Sequence, residues 1–178
     1  MKNPMIHLII GDGRGKTTSA YGLALRALGQ GLRVAVMNFL KSDSGGEGQG
    51  LQKMAEAHPL LSIYSFEKKR GFYYQLKKEE KEALAQEVEQ SFLWMTHLIL
   101  EGTWDVLILD EVLDAVNLSL LDCSRLIQLL EKNKNTEIVM TGRDPHPELY
   151  QVADYISEIK KIKHPYDKGI LARKGIEY

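Results

Sequence analysis

Hydrophobic positions along the chain follow two alternating patterns. Short runs rich in Val, Ile and Leu at residues 5–10, 33–40, 60–66, 105–109 and 137–141 lack clean polar alternation. Strands buried on both faces of a parallel sheet read this way. Between them, apolar residues recur at helical steps. Residues 17–29 place Tyr21, Ala24, Leu25 and Leu28 on one face, and Gly29 and Gly31 supply a stop. Residues 77–101 carry Leu84, Val88, Phe92, Met95 and Ile99 in the same rhythm, and 120–132 repeat it, with Asp122 or Ser119 as cap. Strand–helix alternation predicts an α/β fold: a mostly parallel, doubly wound sheet with helices on both faces and right-handed crossovers.

Two stretches interrupt the rhythm. Residues 41–50 (KSDSGGEGQG) contain four glycines and predict a mobile loop after the second strand. Residues 67–75 (EKKRGFYYQ) place three consecutive aromatics in a basic loop after the third. Both follow strands, so both belong at the carboxyl edge of the sheet, where α/β proteins bind ligands.

Composition narrows the class. At 178 residues, 44% hydrophobic and 26% charged, the chain reads as one globular domain over 1–178. Lys and Arg number 23 against 24 Asp and Glu, which leaves no basic excess for nucleic acid. The single cysteine, Cys123, excludes an internal disulfide or a cysteine-rich metal cage and suits a reducing, cytoplasmic setting. No apolar run approaches the ~20 residues of a membrane span, and MKNPMIHLII is too short in its apolar part for a signal peptide.

Chemistry concentrates at two places. Gly11-Asp12-Gly13-Arg14-Gly15-Lys16-Thr17-Thr18 lies between the first strand and the first helix. Glycines there let successive N–H groups turn toward phosphate oxygens, and the helix adds its positive end. Lys16 offers a mobile cation and Thr17 a hydroxyl placed to ligate Mg²⁺. Ile10 stands where the strict phosphate-loop pattern has glycine, so this is a variant with glycines at alternate positions. The second place is Val106-Leu107-Ile108-Leu109-Asp110-Glu111, a strand delivering two carboxylates to the sheet edge, one of them for Mg²⁺. Together they indicate a nucleoside triphosphate and Mg²⁺, without saying which bond breaks.

The glycine pattern at 11–41, WDVLILDEVLDAV at 104–116 and the ending from Val139 to Tyr178, with Thr141-Gly142-Arg143 and His164-Pro-Tyr-Asp-Lys-Gly, resemble the CobA/BtuR-type ATP:corrinoid adenosyltransferases. The resemblance implies a RecA-like P-loop domain that transfers the 5′-deoxyadenosyl group of ATP to Co(I) of a corrinoid and releases triphosphate. It implies Mg²⁺ or Mn²⁺, a homodimer, a flavoprotein reductant, and ATP lying reversed along the phosphate loop. Lys16 would act on the leaving triphosphate, with residues 11–18 and Arg143 binding ATP and Thr17, Asp110 and Glu111 holding the metal. The family's aromatic wedge beneath the corrin corresponds to Gly71-Phe72-Tyr73-Tyr74, with Phe72 matching and Tyr74 in place of Trp; cover for the sheet edge is the other reading. Some relatives close the site with an N-terminal helix. Here the chain begins four residues before its first strand, which leaves closure to the 41–50 loop.

Several residues admit structural readings. Arg26 matches a family arginine but also suits a helix-surface ion pair. Asn38 reads as an ordinary strand end. The five histidines read as structural, with His164 the nearest to a site role, and no pair has a metal-ligand spacing such as HExxH. The clusters at 68–70 and 77–78 read as solvated or as a docking face for an acidic reductase. Two rivals remain open at this point: a conventional P-loop ATPase or kinase, and a nucleotide-gated binding module.

Overall fold

The computed structural model describes residues 3–40, 46–66, 68, 70–71, 73–173 and 176. Among the described residues, six parallel strands form one sheet: β1 (Ile6–Ile10), β2 (Val34–Asn38), β3 (Leu61–Ser65), β4 (Val106–Asp110), β5 (Glu137–Thr141) and β6 (Tyr155–Glu158), in the spatial order β3-β2-β4-β5-β1-β6. The helices are α1 (Lys16–Gly29), α2 (Gly46–Ala57), α3 (Lys78–Glu101), α4 (Val112–Asn117), α5 (Cys123–Lys132) and α6 (Leu149–Val152).

Period-two alternation divides each central strand between two cores. Val34 and Val36 of β2, Val106 and Ile108 of β4 and Val139 of β5 pack with Ala20, Ala24, Ala27 and Leu28 of α1 and Leu51 of α2. Their neighbours Ala35, Met37, Leu107, Leu109, Ile138 and Met140 face the other way, onto Leu84, Val88, Phe92, Met95 and Ile99 of α3 and Leu126, Leu129 and Leu130 of α5. Every residue of β2 and β4 is buried. Burial of that many aliphatic side chains, each worth about 1.5–3 kcal/mol, dominates the stability of the sheet. The doubly wound α/β architecture predicted above is the one observed.

β5 lies between β1, which leads into the phosphate loop, and β4, which carries the acidic pair. Three elements depart from the sequence reading. β6 runs parallel to β1 at the sheet edge although all four of its residues are exposed and give no apolar run. Residues 46–50, expected as loop, open α2, while 41–45 lie outside the described residues. α4 follows β4 directly, because Glu111 takes a left-handed conformation (φ 60°) that turns the chain into a helix one residue after the strand.

Candidate active site

The phosphate loop leaves β1 at Gly11 (φ 109°) and enters α1 through Gly15 (φ 119°), both backbone conformations that favour glycine. Beside it runs the chain leaving β6. The Gly13 N–H donates to the Ile159 carbonyl at 2.8 Å, and a Cβ at Gly13 would meet that oxygen at 2.7 Å. The glycines at 11 and 13 therefore admit a neighbouring backbone as well as forming a loop. Asp12 fastens the same strap: its Oδ1 accepts from the Lys161 N–H at 3.0 Å, which holds the Asp12 carboxyl below its usual value. Arg14 donates to the Ile176 carbonyl.

Lys16 Nζ donates to the Gly13 carbonyl at 2.9 Å. Partial burial lowers the pKa of this ammonium, Arg143 adds to the effect, and the carboxylates of Asp114, Glu111 and Asp12 oppose it. Next to it, Asp110 is fully buried, and its Oδ1 accepts from the hydroxyls of Thr17 (2.9 Å) and Thr141 (2.6 Å). The Thr141 oxygen also accepts the Glu111 N–H at 2.9 Å, which fixes the left-handed turn. The structure thus brings Thr17, Asp110 and Glu111 together at the ends of β4 and α1. Their hydroxyl and carboxylate oxygens are the hard donor set that suits Mg²⁺.

Residues 12–18 line a cleft of about 460 Å³ with Glu111 and Arg143. Its far wall is the tail: His164, Pro165, Tyr166, Ile170, Leu171 and Ala172. A second cleft of about 520 Å³ is lined by Leu40, Lys68, Arg70, Tyr73, Tyr74, Leu76 and Leu84 together with Asp114, Asn117 and Leu118. Glu111 and Arg143 belong to both. Between β5 and Arg143, a side chain at Gly142 (φ 155°) would press on Leu113 Cβ at 2.5 Å and Asp114 Oδ2 at 2.8 Å. With Gly142 in place, the Arg143 N–H donates to Asp114 Oδ2 at 3.1 Å.

Two described residues of the aromatic loop, Lys68 and Arg70, are tied to α3. Arg70 makes a bidentate pair with Glu87 of α3, one N–H···O bond at 2.7 Å, and the Lys68 N–H donates to the same carboxylate at 3.1 Å. The pair holds the Glu87 carboxyl below its usual range. Tyr73 is half-buried against the core with Lys81 Nζ 4.8 Å above its ring, whereas Tyr74 is 75% exposed at the cleft mouth. Phe72 lies outside the described residues, as does Lys69.

Comparison with known proteins places the chain in a family. The model for ATP:corrinoid adenosyltransferase BtuR/CobO/CobP matches residues 2–178. The chain belongs to that family. It is 30% identical over 177 residues to the corrinoid adenosyltransferase of Escherichia coli K12, with 98% of this chain and 85% of that one covered. It is 29% identical over 178 residues to the corrinoid adenosyltransferase CobA of Salmonella typhimurium, with the same coverage. Among solved structures, a KaiC-like protein from Pyrococcus horikoshii aligns over 97% of this chain and 66% of its own, at 16% identity and a TM-score of 0.45. Membership makes the protein a transferase, a corrinoid adenosyltransferase.

The remaining sequence candidates separate cleanly. Arg26 is exposed in the last turn of α1, ten residues and about 15 Å beyond Lys16, and lines neither cleft. Asn38 is buried and accepts from the Tyr21 hydroxyl at 3.0 Å, a structural role. Of the 68–70 cluster, Arg70 is paired with Glu87 and so is not simply solvated. Sequence reasoning missed Thr141 as the hydroxyl that ties the acids together and Asp114 as the partner of Arg143. The i, i+3 spacing of Glu111 and Asp114 was the available signal for the latter.

Proposed function

We propose that the protein transfers the 5′-deoxyadenosyl group of ATP to the Co(I) centre of a corrinoid. The observation that carries this reading is the pair of clefts sharing Glu111 and Arg143 as a common wall. A P-loop hydrolase needs one such cleft; a transfer between two bound molecules needs two that meet. The first, with Lys16, Arg14 and the start of α1, suits the triphosphate. The second, with Leu40, Leu76, Leu84 and two tyrosines against Lys68 and Arg70, suits a broad apolar ring with polar side arms.

In the step proposed, the Co(I) electron pair attacks C5′, the Co–C bond forms, C5′–O5′ breaks and triphosphate leaves. Lys16 and Arg143 act on the charge that develops on the leaving oxygens. Thr17, Asp110 and Glu111 hold Mg²⁺, whose chemistry when bound is neutralisation of triphosphate charge. Residues 11–18 cradle the nucleotide, and Phe72 with Tyr74 shields the lower face of the corrin. The same reading takes residues 1–178 as one P-loop domain working in the cytoplasm as a homodimer supplied with electrons by a flavoprotein.

The experiment is the fate of ATP with chemically reduced cobalamin and Mg²⁺, followed by phosphorus NMR and visible absorbance. Triphosphate appearing in step with adenosylcobalamin is expected. ADP and phosphate with the corrinoid unchanged would mean conventional γ-phosphate chemistry.

A further inference from the structure

Outside the lining of either cleft, the fold gathers three side chains that the sequence scatters. Cys123 opens α5, while His146 and Glu148 lie in the segment between β5 and α6. Their ligand-capable atoms all lie within 4.8 Å of one another, with the thiol half-buried and the other two exposed. Spacing along the chain conceals the group, since Cys123 is more than twenty residues from His146.

The scaffold behind these residues is stiff. Pro145 and Pro147 flank His146 and restrict the backbone on either side of it. Pro145 is buried, Leu149 is fully buried in the core, and the Leu149 N–H donates to the His146 carbonyl at 2.9 Å. The Asp122 carboxylate caps α5 by accepting the Arg125 N–H at 2.8 Å, which fixes the turn from which Cys123 projects. Two anchored segments thus place one sulfur, one imidazole nitrogen and one carboxylate oxygen within 4.8 Å of one another.

We propose that Cys123, His146 and Glu148 form a zinc-class metal site that fastens the start of α5 to the segment following β5. One S, one N and one O ligand is a set that a borderline-soft divalent cation accepts and Mg²⁺ does not. Tetrahedral zinc bonds of about 2.0–2.3 Å put ligand atoms closer together than 4.8 Å, a contraction that rotation of the exposed His146 and Glu148 side chains supplies. The fourth position faces solvent and takes water. Because the β5–α6 segment also carries Arg143, the metal would brace the wall common to the two clefts. In binding, the thiol proton is released and a metal–thiolate bond forms, with no change of oxidation state.

Cobalt(II) serves as the probe, added to the full chain under a phosphine reductant with excess Mg²⁺. Cys123 is the only cysteine, so a thiolate-to-cobalt charge-transfer band can arise only there. The expected result is a band saturating at one ion per chain, abolished in Cys123→Ser and requiring at least about tenfold more metal in His146→Gln and Glu148→Gln, the size of effect seen even for outer-shell partners. Zinc should raise the Tm of the wild-type chain and leave that of Cys123→Ser unchanged. Circular dichroism checks that each variant is folded before titration. Absence of the band in the wild type overturns the site. So does a band indifferent to His146→Gln and Glu148→Gln, which would mark a solitary thiol, and so does saturation at one ion per two chains, which would mark a bridge between copies.

Discussion

At the scale of single residues, the site depends on groups that hold other groups. Thr141 has the most consequential hydroxyl: it donates to Asp110 and accepts from the Glu111 N–H, joining β5 to the end of β4. Thr141→Val keeps the shape and removes both bonds, leaving a buried carboxylate short of one donor and a backbone N–H without its acceptor. The expected loss is about 1–3 kcal/mol of stability, read by urea unfolding, with a fall in adenosyl transfer because the left-handed turn at Glu111 loses its tie. Thr141→Ser should recover most of both. An unchanged unfolding midpoint in Thr141→Val would mean that the two bonds contribute nothing net. At this scale the placement of Lys16, Thr17, Asp110 and Glu111 near strand and helix ends was legible, because each belongs to a local pattern. The sequence was silent about Thr141, whose role depends on β5 lying beside β4. It was also incomplete about Gly13, whose N–H is taken up by the carbonyl of Ile159, the residue just past β6, a strand with no sequence signal.

At the scale of elements, legibility follows burial. β2 and β4 are buried along their whole length and stand out as apolar runs; β6 is exposed throughout and does not. α3 declares itself through its long apolar face, whereas the glycines at 46, 48 and 50 disguise α2. The aromatic loop is positioned by α3 through Glu87, and that tie gives a pH dependence with a definite sign. Because Arg70 lowers the Glu87 pKa in the folded state, its stabilisation is fully present above the unfolded glutamate value of about 4.3. It is lost as the pH falls from there through the lower folded value. Glu87→Gln should therefore cost on the order of 1–2 kcal/mol at neutral pH, more than an exposed pair because the contact is bidentate and half-buried. The difference from wild type should shrink toward zero in acid. The KM for corrinoid should rise while that for ATP holds, since the loop lines the second cleft alone. A difference from wild type that persists unchanged in acid would show that the ion pair is not its origin.

For the molecule as a whole, the strand order has a functional consequence. Placing β5 between β1 and β4 sets Gly142-Arg143 beside the phosphate loop on one side and the acidic pair on the other. Arg143 can then face both clefts, with its backbone held by Asp114 and its side chain close enough to Lys16 to depress the lysine pKa. A residue that only bound phosphate would affect ATP alone. One in the wall between two substrates should affect the step that joins them. Arg143→Ala is expected to lower kcat by about 10²-fold, the size of effect seen on removing one preorganised charge stabiliser. Arg143→Lys, which keeps the charge but not the planar fork, should restore part of it. Removing the like charge also lets Lys16 titrate higher, so the alkaline limb of the Arg143→Ala rate profile should move to higher pH. That second readout separates a charge effect from a packing effect. If KM for ATP rises with kcat and the alkaline limb unmoved, Arg143 serves one cleft only, and the common wall has no part in bringing the substrates together.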